Sequence, residues 1–358
     1  IGGRTFPSVF QAWAPADNLP GEDRLTTLTR HDLVWNVPQF FGLKWDRFPV
    51  GLAEGFTPHG IAEGQVLREQ LLAKNPRMVL LAEIRYRDAP QDYLPDGHEW
   101  WLRDGSGQPV SGWKEGGHLR LDLRSPGFRR HVAAQCRAAV ASGVVDGVML
   151  DWWDDDEHRL ALVKEVRRAV GEEALIIANA NARMTPRTAP YLNGYFMECT
   201  RSRTPEDWKR IAATLTWAET HLREQRVNCV ETWWHGSRRD ESLMRATTAL
   251  ALTHSDGYCL FSDPNPLPAS DHLHDWYPFW DANLGRPLGR GEKQPDGTVR
   301  RRFENGFAVY NPMGNGKKAT VRFDRPHRSV ATGETDDKHS LPSGDGDIYL
   351  PGAYSGGH

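Results

Sequence analysis

Four carboxylates stand at or near the ends of apolar, strand-like runs. They are Glu83 in RMVLLAEIRYRD (77–88), Asp151 in VVDGVMLDWW (144–153), Glu198 in LNGYFMECT (192–200) and Glu231 in RVNCVETWW (226–234). Amides, aromatics and a few charges fall at comparable positions: Gln11, Trp13, Asn36, Tyr86, Trp152, Trp153, Asn179, Asn181, Arg201, Trp233, Trp234, His235 and Asp263. An acid at the end of an apolar strand is costly to bury unless it is paired or put to use. Two carboxyl groups facing one another suit the cleavage of a glycosidic bond. One protonates the leaving oxygen, and the other attacks the anomeric carbon or activates water. Tryptophan faces stack on sugar rings, and amides bind hydroxyls. A phosphate would ask for a glycine-rich cradle at a helix start, and no such segment follows these strands.

Each residue also has a plainer structural reading. Asp151 follows Val148–Met149–Leu150 directly and is still on its strand, whereas Asp154, Asp155 and Asp156 are placed to cap the next helix. Asp151 is therefore read as functional, and Asp146 at the other end of the strand as structural. Glu198 has Arg201 as a competing ion-pair partner, and Glu83 has Arg85 and Arg87. Glu231 is held in reserve for either catalytic role. His235 fits an ordinary loop histidine, and successive Trp233 and Trp234 face opposite sides, so at most one of them lines the site. Cys136, Cys199, Cys229 and Cys259 form no CxxC pair, so buried free thiols are expected and no structural zinc. No cofactor and no metal is expected.

These residues need a scaffold that gathers strand ends. The chain alternates strand-like and helical segments: strands at 6–14, 32–37, 77–88, 144–153, 174–181, 192–200, 226–234 and 256–263, helices at 57–76, 125–143, 157–171, 204–224 and 240–255. Eight strands alternating with helices predict a (β/α)8 TIM barrel, whose chemistry sits at the C-terminal strand ends. The texture changes after Asp263. RRFENGFAVYNPMGNGKKATVRFD (301–324) predicts a hairpin around a Gly–Asn–Gly turn. The expected domains are a catalytic barrel over 1–288, a small C-terminal antiparallel, β-sandwich-like domain over 289–352 and a disordered end at 353–358.

Of the 358 residues 39% are hydrophobic, enough for a normal core, and the net charge of −3 gives no reason to expect nucleic acid as a partner. No apolar run is long enough for a membrane span. A carbohydrate substrate is the expected partner, and oligomeric state is not legible. The opening IGGRTFPSVF carries no charged-then-apolar leader. A secreted or periplasmic location is expected only if a signal peptide has been removed.

The stretch FPSVFQAWAPADNLPGEDRLTTLTRHDLVWNVPQFFGL, with WLRDGSGQPVSGWKEGGHLRLDLRSPGFRRHV (101–132) and DGVMLDWW, resembles a bacterial glycosyl-hydrolase-like family, the fifteenth of a set of hypothetical glycosidases. The resemblance implies a (β/α)8-barrel O-glycosyl hydrolase of poly- or oligosaccharides. Related groups narrow the mechanism. The α-amylase-like pattern needs a Glu on strand five, where this chain has Asn179 and Asn181. The chitinase-like DGxDxDxE is broken by Met149 and Trp153. The large retaining-β group needs an Asn–Glu on strand four. The α-galactosidase-like and polygalactosaminidase-like groups place acids on strands four and six, which matches Asp151 and Glu198. By that likeness Asp151 is the nucleophile or base and Glu198 the general acid/base of a retaining glycosidase. Two alternatives remain open: a carbohydrate-binding barrel without catalysis, and a metal-dependent hydrolase using Asp151, Asp154 and His235.

Overall fold

The computed structural model describes residues 3–200, 202–233, 238–262 and 272–352. Eight parallel strands form one sheet in chain order: β1 (Phe10–Ala12), β2 (Leu33–Asn36), β3 (Val79–Glu83), β4 (Gly147–Leu150), β5 (Leu175–Asn179), β6 (Gly194–Cys199), β7 (Cys229–Trp233) and β8 (Tyr258–Ser262). The sheet closes on itself where Val9 bridges Cys259 and the Cys259 N–H donates to the Ser8 carbonyl at 3.0 Å. The expected TIM barrel is therefore what the chain forms. Its strands are buried on both faces, so they read as nearly continuous apolar runs rather than alternating ones.

Six helices connect the strands: α1 (Arg24–Thr29), α2 (Pro58–Lys74), α3 (Pro126–Ala141), α4 (Glu157–Val170), α5 (Pro205–His221) and α6 (Glu241–His254). The five longer ones start and stop where sequence signals place them. Ser125 accepts from the Phe128 N–H, Asp156 from those of His158 and Arg159, and Thr204 and Asp207 form a reciprocal capping box. Two connections depart from the regular alternation. Between β5 and β6 the chain makes only a 3₁₀ turn (Ala189–Tyr191), and α1 is too short and too weakly patterned to have been read.

The three acids after Trp153 divide their work instead of sharing one cap. Asp156 caps α4, Asp155 accepts from the backbone N–H groups of Arg187 and Thr188 (both 3.1 Å), and Asp154 pairs with Arg183 at 3.0 Å. At the opposite end of β4, Asp146 accepts from Arg68 (2.6 Å) and the Leu80 N–H (2.8 Å), the structural role expected of it. Between these ends, Gly147 lets β4 approach β5 closely, because a Cβ there would overlap the Leu175 carbonyl. All four cysteines are buried and free.

Beyond the barrel, six antiparallel strands form one sheet: β9 (Glu292–Lys293), β10 (Val299–Phe303), β11 (Gly306–Asn311), β12 (Ala319–Ser329), β13 (Thr335–Leu341) and β14 (Asp345–Pro351), in spatial order β9-β10-β11-β14-β12-β13. The hairpin is not the expected one. It joins β10 to β11 through Glu304–Asn305, while the Gly314–Asn315–Gly316 segment leads β11 into β12, which is not its neighbour. The glycine turn signal was real, but β14 inserts between the strands it links. A register break in β12 between Arg322 and His327 lets that strand serve β13 along its length and β14 at its end, so the sheet is continuous.

This sheet is fixed to the barrel through α6. Arg245 makes a two-pronged bond to Asp345 (3.0 and 2.7 Å), and Gly346 lies against Ala249 and the Arg245 backbone. Arg301 donates to the Leu252 and Ser255 carbonyls at the helix end, at 3.0 and 2.6 Å. Asp345 is 6% exposed, so removing its partner strands a buried charge. Arg245→Ala is expected to cost about 3 kcal/mol, read by denaturant unfolding. A loss under about 0.5 kcal/mol would mean that the Arg245–Asp345 pair adds little to holding the two parts together.

Candidate active site

At the C-terminal mouth of the barrel, one side chain touches two acids. The Asn179 amide nitrogen, at the end of β5, donates to Asp151 Oδ1 at 2.8 Å and to Glu198 Oε2 at 2.7 Å. An amide nitrogen carries two protons, one for each acceptor. Its orientation is set from the other side, where Asn179 Oδ1 faces the Asn181 N–H at 3.3 Å. Strand register makes this possible. Leu150 lies beside Ala178 and Asn179 beside Phe196, so the residues that follow or flank them converge from β4, β5 and β6.

The four carboxylates differ in access. Glu83 and Glu231 are 4% and 0% exposed, whereas Asp151 and Glu198 are only half-buried and keep surface toward solvent. Burial pushes Glu198 up to about 8, helped by the neighbouring negative charges of Asp151 and Glu231 and opposed by His272 and the Asn179 hydrogen bond. Burial also raises Asp151. There the Asn179 and Trp152 N–H groups, Arg85 and His272 all pull back toward the ionised form. Glu83 is pushed up to about 7 by burial, with Arg85 opposing from 3.8 Å. Among the described residues Glu83 Oε2 has no hydrogen-bond partner, which suits a protonated acid better than a carboxylate.

Glu231 is differently placed. It accepts from the Ser262 hydroxyl and from His272 Nδ1, which lies 2.9 and 3.1 Å from its two oxygens. His272 packs edgewise against Trp35 and Phe196, with ring centroids 5.8 and 5.7 Å away. Neither His272 nor Ser262 was singled out from the sequence. Ser262 hides in an ordinary strand. His272 follows the proline-rich stretch DPNPLPASD (263–271), in whose sequence no periodicity says which way a side chain points.

Adjacent tryptophans after β4 part company. Trp152 takes a left-handed backbone (φ 53°) that turns its ring outward, 47% exposed, with the Arg87 guanidinium 4.1 Å over it. Trp153 goes inward. It is 1% exposed, with its indole N–H on Thr188 Oγ1 at 3.0 Å and its backbone N–H on the Asn179 carbonyl at 2.7 Å. It presents no face to a sugar, contrary to the expectation that placed both rings in the site. Tyr86 is likewise buried and works as a support, its hydroxyl donating to the Trp152 carbonyl at 2.8 Å.

The ends of β1 and β2 are used for bracing. Gln11 and Asn36 both donate to the Trp13 carbonyl, at 3.2 and 2.9 Å, and Trp13 is also left-handed (φ 53°). By strand parity they lie on the opposite face from Trp35, the ring that does reach His272. The Trp13 ring is half-buried, with its edge toward Trp35. Asn181, also left-handed (φ 51°), sits half-buried at the rim. Arg201, Trp234, His235 and Asp263 lie outside the described residues, as does the Trp233 side chain. Among the described residues no group of three or more His, Cys, Asp or Glu is arranged to hold a metal ion. No helix among them is long and apolar enough to cross a membrane.

The closed (β/α)8 barrel thus holds two accessible carboxyl groups jointly at its C-terminal mouth, the end at which barrels of this kind place their chemistry. The chain belongs to hypothetical glycosyl hydrolase family 15, whose sequence model matches residues 81–307, and it is a glycosidase by that membership. No curated protein matches it. Among solved structures it is similar to a noncanonic maltogenic α-amylase from Thermotoga neapolitana, with 14% identity, 97% of this chain and 99% of that one covered, and a TM-score of 0.60. It is similar too to an α-amylase from Lactobacillus plantarum (11% identity, 96% and 99% covered, TM-score 0.56). A third is the cyclic α-maltosyl-(1→6)-maltose hydrolase from Arthrobacter globiformis in complex with maltose (11%, 96% and 99%, TM-score 0.54). At such identities the likeness is one of fold.

The raised Glu198 has a consequence for stability. Its folded-state value, about 8, lies above the ordinary 4.5, so between those pH values the native state binds more protons than the unfolded chain. Stability then falls as pH rises through that window. Glu198→Gln keeps an acceptor for Asn179 and removes the titration. Its melting temperature should exceed that of the unsubstituted protein by at least about 4 °C at pH 8, and the gain should shrink toward zero at pH 4. A difference that does not vary with pH would show that Glu198 titrates normally.

Proposed function

We propose that the protein is a retaining glycoside hydrolase of poly- or oligosaccharides, with Asp151 as nucleophile and Glu198 as general acid/base. The observation that carries this reading is the Asn179 amide shared between them. Two oxygens bonded to one nitrogen are separated by no more than the two bond lengths together. That limit falls in the spacing of about 5–5.5 Å used for double displacement, and short of the roughly 6.5–9.5 Å that leaves room for a water.

The proton inventory supports the same division. Two carboxylates this close resist ionising together, so one proton stays on the pair. Glu198, pushed up to about 8, holds it at neutral pH. Asp151 receives two N–H donors and the field of Arg85, which favour its anion. In the first step Asp151 attacks the anomeric carbon, the glycosidic C–O bond breaks, and the Glu198 proton goes to the departing oxygen. In the second, Glu198 takes a proton from water as that water displaces Asp151, and the acid is restored. The outward ring of Trp152, steadied by Arg87, offers a platform for a sugar beside the reacting pair.

Asp151→Asn is expected to lower the release of reducing ends from the α- or β-linked oligosaccharide that the protein cleaves by at least about a thousandfold, while binding of that sugar persists. Unchanged turnover would remove Asp151 from the chemistry. The anomer first released, followed by proton NMR, should match the configuration of the bond cleaved, and the opposite anomer would overturn the retaining assignment. Activity should also decline above about pH 8 as Glu198 loses its proton.

A further inference from the structure

Glu231 has a strand-end position much like that of Glu198, yet its surroundings suit another task. It has no exposed surface, and its oxygens are taken by the Ser262 hydroxyl and by His272 Nδ1 at 2.9 and 3.1 Å. A carboxylate so enclosed has no free edge for an anomeric carbon. What it does hold is a ring. A nitrogen facing a carboxylate at this distance carries its hydrogen, so the tautomer of His272 is fixed with the proton on Nδ1. The ring is wedged against Trp35 and Phe196, and Phe196 stands two residues before Glu198 on β6.

We infer that Glu231 serves the reaction through His272, as a positioning residue that keeps this imidazole protonated and aimed as the local cation of the carboxyl cluster. The inference rests on the proposed roles of Asp151 and Glu198. Among the described residues Glu231 from β7 bonds the ring and itself accepts from Ser262 of β8, and Glu83 from β3, Asp151 from β4, Glu198 from β6 and His274 are the titratable groups that its charge acts on. His272 favours the charged form of Glu83, Asp151 and Glu198 alike, and for Glu198 it is the largest influence opposing burial. The moment of greatest need is glycosyl transfer. Glu198 then gives its proton to the departing oxygen and becomes an anion, while Asp151 loses its charge in forming the ester. A fixed cation nearby stabilises the new carboxylate without giving up its own proton, so the imidazole enters and leaves the cycle unchanged.

The test is an NMR titration of the full chain with [15N]histidine and [13C]glutamate, the signals assigned through His272→Gln and Glu198→Gln. In the unsubstituted protein His272 should keep its Nδ1 proton at every pH, and a neutral ring protonated on Nε2 would overturn the inference without any variant. His272→Gln should raise the Glu198 midpoint by about one pH unit, the effect of removing one nearby opposite charge. Glu231→Gln should lower the His272 midpoint by a similar amount, and Glu231→Asp should restore part of it. Midpoints that stay put in both His272→Gln and Glu231→Gln would sink the inference. These readings need no turnover, so they fail separately from the proposed reaction. If Asp151→Asn kept full activity, the reaction would be misassigned whatever His272 does.

Discussion

One amide nitrogen sets the geometry of this site. Asn179 reaches Asp151 and Glu198 together only because β4, β5 and β6 lie in the right register and close enough. The closeness begins at the far end of β4, where Gly147 takes the place of a side chain that would strike the Leu175 carbonyl. The Asp–Gly start of the strand and the Asp at its end are thus connected. Asp146 ties the strand to Arg68, Gly147 admits the neighbouring strand, and four residues later Asp151 meets the amide of that same neighbour.

The likeness to α-amylases is one of architecture. Where an amylase-like pattern would put a glutamate on the fifth strand, this chain has an asparagine, and it is that asparagine which organises the acids of the strands on either side. The same scaffold can distribute its carboxylates over different strands because every strand ends at the same mouth. What is particular to this chain is the trio Asp151, Asn179 and Glu198 rather than the fold.

Much of this was legible in the chain. Eight apolar runs, proline and glycine stops and well-formed caps at Ser125, Asp156 and Thr204 gave the barrel. Acids directly after apolar residues marked Asp151 and Glu198. What escaped was set by long-range contact or by one unusual dihedral. Trp152 and Trp153 look alike in sequence, and a left-handed backbone at Trp152 sends one outward and the other into the core. Gln11 and Asn36 look like hydroxyl binders, but their parity and the Trp13 carbonyl claim them. The Gly–Asn–Gly segment signals a turn without saying which strands will pair, and β14, thirty residues on, decides that. His272 is called into the site by Glu231, forty-one residues earlier, and no local pattern could announce it.

Counting charges explains why four acids can share so small a space. Glu83, Asp151, Glu198 and Glu231 would carry four negative charges if all were ionised, with Arg85 as the permanent cation beside them. Burial makes that unaffordable. The cluster resolves this by unequal treatment. Glu231 has a hydroxyl and a ring N–H to satisfy it. Asp151 has two N–H donors. Glu83 has an oxygen with no partner among the described residues and is pushed up to about 7, and Glu198 is pushed up to about 8. The protons therefore gather on Glu83 and Glu198, and of these two only Glu198 keeps surface within reach of a substrate. Asp151 and Glu198 thus share one hydrogen-bond donor but differ in what surrounds them, Asp151 having the Trp152 N–H and Arg85 beside it and Glu198 the negative charges of its acidic neighbours.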